Sequence, residues 1–262
     1  MIPFVLTLVF WGGATAAGVV LGRRSVRSAA ITAGVCAFLV LVRVFLRFHP
    51  DIEDAVFPWD WYVPAHPWWV FAPALGAVAA GAGRMSTPVA RIGVGVFAVL
   101  LFTVATRNLA LTVFADPETY TGIADRRGDV RQSTDHSCGA AAAATMANRL
   151  GVPADERTMA ERCHTNAFLG TDALGVAHGL RATLGENWTV RIERSTWDRL
   201  ATTPLPAAAV VKFQLWVDHW VVVLESEADS VVVSDPAGRV RRLSRAEFLD
   251  RWRGLMVTAR RR

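Results

Sequence analysis

The sequence predicts a chain in two parts: a four-helix transmembrane region over residues 1–117, followed by an α+β domain over residues 118–262. Three observations predict this division. The composition is 52% hydrophobic with positive mean hydropathy, which is too apolar for an ordinary soluble enzyme. Nearly all long apolar runs lie before Asp116. Beyond residue 118, charge and glycine occur in ordinary globular proportions, and short alternating apolar segments are typical of strands.

Four apolar runs are long enough, or nearly so, to cross a bilayer as helices, which takes about 20 residues. They cover residues 3–22, 28–46, 67–83 and 92–115. The first is not interpreted as a signal peptide, because it lacks a preceding basic segment and three further runs follow it. Buried core helices of a soluble protein are the alternative interpretation, but four such runs in succession rarely occur there.

Basic residues in the short loops predict the orientation, since cytoplasmic loops carry an excess of Lys and Arg. The first and third loops contain the basic residues Arg23, Arg24, Arg27, Arg84 and Arg91. The second loop contains the acidic residues Asp51, Glu53, Asp54 and Asp60. We therefore expect a multi-pass protein of the cell membrane whose termini and second domain are extracytoplasmic. Three arginines after the fourth span favour the opposite orientation, namely Arg126, Arg127 and Arg131.

Two arginines lie within the predicted spans, Arg43 and Arg107. Both are near the predicted outer end of their helices, so their long side chains are expected to extend to the membrane interface. A transport or relay role is the alternative, because charges inside a span are often functional.

The second domain changes from helices to strands along its length. The predicted helices cover residues 138–150, 154–163, 172–184 and 245–252. The predicted strands cover residues 189–192, 207–213, 219–224, 230–233, 239–242 and 256–259. Ser137 and Thr171 are candidate N-caps of the first and third helices, and Gly151 is a candidate stop for the first. Helices followed by a mostly antiparallel sheet indicate a two-layer α+β domain.

Cys138 is a candidate nucleophile because it begins a predicted helix. The unpaired N–H groups and the macrodipole at a helix N-terminus stabilise a thiolate, which is the reactive form of cysteine. The preceding residues, 131–137, are polar, so the sulfur is expected to be accessible. Taken alone, a cysteine is more often a small core residue, since free cysteines are among the most buried residue types.

His219 and Asp235 are the candidate partners of Cys138. His219 lies in the apolar stretch 216–223, where an imidazole is unfavourable unless its ring nitrogens are paired. Asp235 ends the next strand, and Pro236 prevents that strand from continuing as a regular ladder. The turn at 225–229 can bring the carboxylate beside the imidazole, where it would hold the ring in one tautomer. By itself, Asp235 is better explained as a turn residue.

Gln132 is the candidate oxyanion donor. Acyl transfer through a thioester passes through a tetrahedral oxyanion, and a glutamine amide and the Cys138 backbone N–H can supply two donors to it. A surface glutamine without a role is the alternative for this residue alone. The hypothesis therefore depends on the conjunction of glutamine, cysteine, histidine and aspartate in this order.

Four stretches resemble the bacteriocin-processing cysteine peptidase family, whose better-known members remove double-glycine leader peptides. They are QSTDHSCGAAAAATMANRLG, GTDALGVAHGL, DHWVVVLE and SDPAGRVRRLSRAEFLDRW, within about residues 130–257. The resemblance implies a papain-like fold. It also implies that Cys138 is the nucleophile, His219 the general base and acid, Asp235 the orienting residue and Gln132 the oxyanion donor.

The chain departs from the family pattern at two points. Family members often have an acidic residue directly before the cysteine and a proline two residues after it, where this chain has Ser137 and Ala140. Better-known members are fused to an exporter whose phosphate-binding loop ends in Gly-Lys-Ser/Thr. The only lysine, Lys212, lies in a Val-Val-Lys-Phe strand and does not fit that loop. We therefore expect a divergent member without this ATP-binding motif, with a separate exporter as one partner.

The sequence indicates no other cofactor or partner class. The net charge of +5 comes almost entirely from arginine, and the basic tract 260–262 is too short for a nucleic-acid surface. A zinc site built on Cys163 and His164 would lack the paired-cysteine spacing of structural sites. No cofactor and no metal are expected. The expected partners are a peptide or protein substrate and the lipid bilayer. A Cys138–Cys163 disulfide in an oxidising compartment is a further hypothesis.

The predicted function is a membrane-anchored cysteine peptidase that forms a thioester intermediate, with peptide maturation as one role. An amidase or acyltransferase using the same triad is one alternative, because a thioester reacts with water or with an amine. A non-catalytic, membrane-anchored peptide-binding module is a second alternative, and its function would survive Cys138→Ala. A channel or transporter with a regulatory domain is supported only by Arg43 and Arg107.

Overall fold

The computed structural model describes residues 2–82, 84–113, 116–213 and 217–262. The chain divides into two compact units, Met1–Phe114 and Ala115–Arg262. The predicted span ends at Gly83 and Ala115, and Trp216 at the start of the apolar stretch before His219, lie outside the described residues.

The first unit is helical. Its helices are α1 (Ile2–Arg24), α2 (Val26–Phe48), α3 (Pro50–Val56), α4 (Phe71–Ala82) and α5 (Pro88–Val113), with a 3-10 turn at His66–Trp68. Among the residues that the structure describes, three segments are long and apolar enough to cross a membrane, by length and composition: Pro3–Arg24, Val26–Phe48 and Pro88–Leu111. They correspond to the first, second and fourth predicted spans.

The third predicted span, over residues 67–83, is not one long helix, so the prediction of four spanning helices was too high by one. This stretch contains the end of the 3-10 turn and the 12-residue α4. At a rise of 1.5 Å per residue α4 is about 18 Å long, whereas the hydrocarbon core is about 30 Å thick. Pro73 lies in the first turn of α4. Because proline lacks the N–H that a longer helix would need there, the helix cannot extend far upstream.

The segment around α4 nevertheless returns the chain to the end of α1 where the first loop lies. The Trp11 indole donates a hydrogen bond to the Trp68 carbonyl oxygen at 3.1 Å, so the chain before α4 reaches the middle part of α1. After α4, Arg84 Nε donates to the Gly22 carbonyl oxygen at 2.8 Å. The helices approach closely, since a Cβ at Gly22 would lie 2.6 Å from the Ala80 carbonyl oxygen. α4 therefore runs alongside the second half of α1.

Arg43 contacts the segment that follows α2. Its guanidinium forms an ion pair with Glu53, with Nη1 and Oε2 3.4 Å apart, and its Nε donates to the His66 carbonyl oxygen at 3.0 Å. The Tyr62 hydroxyl donates to the same carboxylate at 2.7 Å, and Glu53 is 1% exposed. A buried carboxylate needs such partners, so the acidic loop draws Arg43 inward.

The second unit contains five helices and six strands among its described residues. The helices are α6 (Cys138–Arg149), α7 (Glu156–Arg162), α8 (Ala173–Leu184), α9 (Trp197–Leu200) and α10 (Arg245–Arg251). The strands are β1 (Trp188–Arg194), β2 (Ala207–Lys212), β3 (Asp218–Ser226), β4 (Ser230–Ser234), β5 (Val240–Ser244) and β6 (Trp252–Arg261). The predicted elements are confirmed, with ends that differ by a few residues. The four-residue α9 was missed because it is too short to show a helical period.

The six strands form one antiparallel sheet in the order β1-β6-β2-β3-β4-β5. Trp220 of β3 faces α6, since a Cβ at Gly139 would lie 3.0 Å from its ring. Alternate residues point to the opposite face, where a buried cluster includes Val221, Val233 and Phe248. Helices precede the antiparallel sheet along the chain, so the predicted α+β fold class is confirmed.

Two predicted helix caps differ from the structure. Ser137 precedes α6 but makes no capping hydrogen bond through its side chain. Its backbone has φ −97° and ψ 10°, outside the extended region that lets an N-cap hydroxyl reach the next turn. For α8 the cap is Asp172 rather than Thr171, and the Asp172 carboxylate accepts from the Gly175 N–H at 2.9 Å. Gly151 follows α6 with φ +84°, as a glycine stop requires.

Candidate active site

Cys138 is the first residue of α6 and is 9% exposed. The alanine-rich sequence lets this helix pack closely, and its residues are buried from Cys138 to Ala147. Gly139 lies where the fold admits no side chain, because a Cβ there would lie 2.6 Å from Thr171 Cβ. The Trp220 indole donates to the Thr171 carbonyl oxygen at 2.8 Å and closes this contact. The thiol is therefore held at the junction between helix and sheet.

His219 and Asp235 come together at the ends of two neighbouring strands. His219 Nε2 lies 2.7 Å from Asp235 Oδ1. The pairing of Val222 with Ser234 aligns β3 and β4, and Asp235 follows directly after β4. The carboxylate is fixed on its other sides, since it accepts from the Ala237 N–H at 3.0 Å and from Arg241 at 3.3 Å.

The Cys138 side chain is close enough to the His219 ring to raise the pKa of that ring. Because Nε2 is occupied by Asp235, the ring nitrogen left for Cys138 is Nδ1. Burial lowers the pKa of His219, but the hydrogen bond to Asp235 and the nearby Cys138 side chain outweigh burial and raise that pKa to about 9. Burial raises the pKa of Asp235, but the His219 hydrogen bond and charge reverse this and leave it below its usual value. At neutral pH the pair is an imidazolium and a carboxylate.

Gln132 lies beside the same turn. Its backbone N–H donates to the Pro236 carbonyl oxygen at 3.1 Å, directly after Asp235. Its side-chain Nε2 donates to the Thr134 carbonyl oxygen at 2.8 Å. An amide nitrogen carries two protons, so Nε2 retains a second donor. The Gln132 Oε1 is buried and has no hydrogen-bond partner in the part of the chain that the structure describes.

Two supporting residues were missed from the sequence. Arg241 is one of two arginines on β5, and nothing local distinguishes the one that contacts Asp235. Glu156 looks like an ordinary first-turn residue of α7, yet it is 0% exposed. Its carboxylate accepts from the Gly122 N–H at 2.7 Å and the Ser133 N–H at 2.8 Å. Glu156 therefore holds the segment that carries Gln132.

Cys163, His164 and His178 lie close together around α7 and α8. Cys138 and Cys163 are both free thiols. Cys163 lies beneath α8, where a Cβ at Gly179 would be 2.3 Å from its sulfur, and burial raises its pKa. The His164 ring lies beside the His178 ring, with centroids 5.3 Å apart and the planes tilted by 34°. Within the described ranges, no group of three His, Cys, Asp or Glu residues is arranged to hold a metal ion.

Known proteins resemble the second unit. The chain is 30% identical over 131 residues to the probable functional amyloid protease FapD of Pseudomonas fluorescens, covering 48% of this chain and 58% of the relative. The FapD of Pseudomonas aeruginosa is 28% identical over the same length and coverage. The chain thus spans little more than half the length of these curated relatives.

Solved structures also align with this unit. The peptidase domain of Streptococcus ComA is 22% identical, with a TM-score of 0.45, and the alignment covers 55% of this chain and 99% of that domain. A double glycine motif protease from an AMS/PCAT transporter, solved with its leader peptide, is 18% identical with a TM-score of 0.45, covering 54% and 99%. The sequence profile of the Peptidase C39 family matches residues 127–262, more than half of the chain. The chain belongs to the Peptidase C39 family.

Proposed function

We propose that this peptidase cleaves peptide bonds through Cys138, His219 and Asp235, by way of a thioester intermediate, while its N-terminal helices anchor it in a membrane. One observation carries the catalytic part: His219 Nε2 lies 2.7 Å from Asp235 Oδ1, and the Cys138 side chain is close enough to raise the pKa of the same ring. An imidazole held in this way can activate a thiol on one side while a carboxylate fixes its tautomer on the other.

The first half of the reaction forms the acyl-enzyme. The Cys138 sulfur attacks the scissile carbonyl carbon, and the new C–S bond creates a tetrahedral oxyanion. The Cys138 backbone N–H and the second Gln132 Nε2 proton are the proposed donors to this oxyanion. The C–N bond then breaks while the His219 imidazolium gives its proton to the leaving amine. The product that remains on the enzyme is a thioester, and His219 is neutral.

The second half releases the acid. Neutral His219 takes a proton from water, and the resulting hydroxide equivalent attacks the thioester carbonyl carbon. The C–S bond breaks, so that Cys138 leaves as a thiolate beside the reprotonated imidazole. Asp235 stays ionised throughout, because its role is to orient the ring and stabilise the imidazolium. Arg241, at 3.3 Å from the Asp235 carboxylate, helps to keep that carboxylate charged.

Labelling with an electrophile tests the reactive pair. The purified full chain in detergent is treated with a peptidyl thiol-reactive electrophile across a pH series, and mass spectrometry locates the modified cysteine. We expect Cys138 to react well below the pH at which an ordinary thiol of pKa about 8.5 becomes nucleophilic. We expect His219→Ala to remove this reactivity.

Cys36→Ala and Cys163→Ala variants serve as controls for the other two thiols and should leave the labelling unchanged. The basis for the catalytic pair would be removed if Cys138 were labelled at the rate of a free thiol and if this rate were the same in wild type and His219→Ala. The peptide-binding module would then be the better explanation.

Membrane anchoring is proposed from the first unit. Three helical segments of 22, 23 and 24 residues are long and apolar enough to span a bilayer. Arg84 contacts Gly22, so the arginines of the first loop and those after α4 lie at the same end of this unit. A cytoplasmic position for this end follows from the excess of basic residues. Since α5 starts there, the peptidase domain is proposed to lie on the extracytoplasmic side.

The orientation can be measured with the only lysine in the chain, Lys212, which is exposed in the peptidase domain. A membrane-impermeant amine reagent applied to intact spheroplasts should modify Lys212 if the domain is extracytoplasmic. A Lys212→Arg variant is the matched control for labelling elsewhere. Modification of Lys212 only after permeabilisation would establish the opposite orientation.

The proposed substrate is a peptide or protein, and the proposed role is peptide maturation. This proposal draws on the relatives at 28–30% identity, which are named probable functional amyloid proteases. A separate exporter is proposed as a partner, because the chain's only lysine does not lie in a phosphate-binding loop.

A further inference from the structure

A pocket of about 300 Å³ opens beside His219 on the α10 face of the sheet. Its floor is apolar and includes Val221, Val233 and Phe248, which belong to the buried core cluster. Its rim carries three basic residues, Lys212, Arg241 and Arg251. The pocket therefore combines an apolar base with a cationic edge next to the proposed general acid.

Two of the three basic side chains have no close counterion. Arg241 is engaged by Asp235 at 3.3 Å, and Asp235 is the only acidic residue that lines the pocket in the described part of the chain. Lys212 pairs across the strands with Asp218, but the Asp218 carboxylate accepts from Arg253 at 2.9 Å. Within the described residues, Lys212 forms no ion pair.

The helix of Arg251 also carries two acidic residues, Glu247 and Asp250. Glu247 is within electrostatic reach of Arg251, but its carboxylate accepts from the Ser244 N–H at 2.8 Å and completes the capping box of α10. No described carboxylate lies within ion-pair distance of Arg251. Lys212 and Arg251 thus leave an excess of positive charge over an apolar floor, and a ligand carboxylate would balance it.

We propose that this pocket is a carboxylate subsite, which takes an Asp or Glu side chain of the peptide substrate within about three residues of the scissile bond. The proposal rests on the proposed function, since it takes cleavage to occur at Cys138 and His219. The limit of about three residues follows from the length of the peptide chain. An extended peptide advances about 3.3–3.6 Å per residue, so a side chain a few residues from the scissile bond reaches a pocket beside His219. The aliphatic part of the acidic side chain would contact the apolar floor.

Quenched fluorescent peptides test the subsite on the full chain in detergent. In a set of peptides built on glycine and alanine, one glutamate is placed in turn at each of the three positions on either side of the cleaved bond. Each peptide has a glutamine partner of the same shape. At one or two positions we expect glutamate to raise kcat/KM about 5- to 30-fold over glutamine, mainly by lowering KM. The ratio of kcat/KM for the glutamate peptide to kcat/KM for its glutamine partner should approach one as the salt concentration rises from about 0.05 M to about 0.5 M.

Charge-removing variants locate the effect. Lys212→Gln and Arg251→Gln should each lower the glutamate-to-glutamine ratio, and the double variant should bring it near one. Arg260→Gln removes the same charge from an exposed position on β6 outside the pocket, and it should leave the ratio unchanged. Cleavage of both peptide types at equal rates at every position would overturn the subsite and leave the proposed peptidase function intact.

A binding measurement separates the two proposals if no peptide is cleaved. In Cys138→Ala, modification of Lys212 by an amine reagent is measured with saturating glutamate or glutamine peptide. We expect the glutamate peptide to slow the modification about fivefold or more relative to its glutamine partner. Equal rates with the two peptides would overturn the subsite. Protection by the glutamate peptide without any cleavage or Cys138 labelling in the wild type would overturn the catalytic function, and with it the subsite as a substrate site, and would leave only carboxylate binding at this pocket.

Discussion

Cys138→Ala is expected to lower peptide-bond cleavage by roughly four to six orders of magnitude, because it removes the nucleophile while the oxyanion donors and the binding surface remain. The fold should tolerate this change. Cys138 lies at the start of an alanine-rich helix that is buried through Ala147, so another alanine fits its surroundings. The measurement is kcat/KM of the purified full chain on a quenched peptide, with thermal unfolding followed in parallel.

Cys163→Ala is the matched control, since it removes the other cysteine of the same unit. Cys163 lies against Gly179, away from His219, and its pKa is raised by burial, so it should not act as a nucleophile. We expect kcat/KM of this variant to stay within a few-fold of wild type. Activity of Cys138→Ala close to the wild-type value would contradict a thioester mechanism in this chain.

Asp235→Asn is expected to lower kcat/KM by about two to four orders of magnitude and to shift its pH dependence. In the wild type, His219 keeps its proton up to about pH 9, so it can protonate the leaving amine at neutral pH, and activity should fall above about pH 9. Asparagine removes the carboxylate that raises the His219 pKa. The alkaline limb of the pH profile should therefore move to lower pH.

A stability measurement checks the same pKa without relying on activity. His219 has a pKa raised from 6.5 to about 9, so its contribution to stability is fully present below about pH 6.5 and is lost as pH rises through about 9. This pH dependence should be weaker in Asp235→Asn. Asp250→Asn changes an exposed carboxylate on α10, and it should alter neither the pH dependence of kcat/KM nor the pH dependence of stability. An unchanged alkaline limb in Asp235→Asn would show that Asp235 does not set the protonation of His219.

Much of the peptidase unit was predictable because its signals are local. Strands such as β3 and β4 are apolar segments, or segments of alternating apolar and polar residues, that lie between turn residues. Helix α6 begins after a polar stretch and ends before Gly151. The order of Gln132, Cys138 and His219 along the chain is also a property of the sequence alone. These features depend on residue type and spacing over a few positions, which a sequence displays directly.

The first unit shows where hydropathy alone misleads. The apolar run 67–83 has the composition of a span, but Pro73 lies in the first turn of α4 and prevents this helix from starting far before Phe71. Hydropathy records the solvent that a segment prefers, whereas helix length depends on backbone hydrogen bonds. Likewise, hydropathy does not reveal that Arg43 pairs with Glu53, whose Oε2 lies 3.4 Å from Arg43 Nη1.

The sequence by itself determined the two-part organisation, the helix-then-sheet order and the residue types available for thiolate chemistry. Only the tertiary structure decided which of these residues meet. The 2.7 Å contact of His219 with Asp235 depends on the register of β3 and β4 and on the turn after Ser234. The burial of Glu156, and the fact that Arg241 is the arginine that contacts Asp235, likewise depend on contacts between separate segments of the chain. Such contacts arise from the packing of distant elements, and no local pattern of residues encodes them.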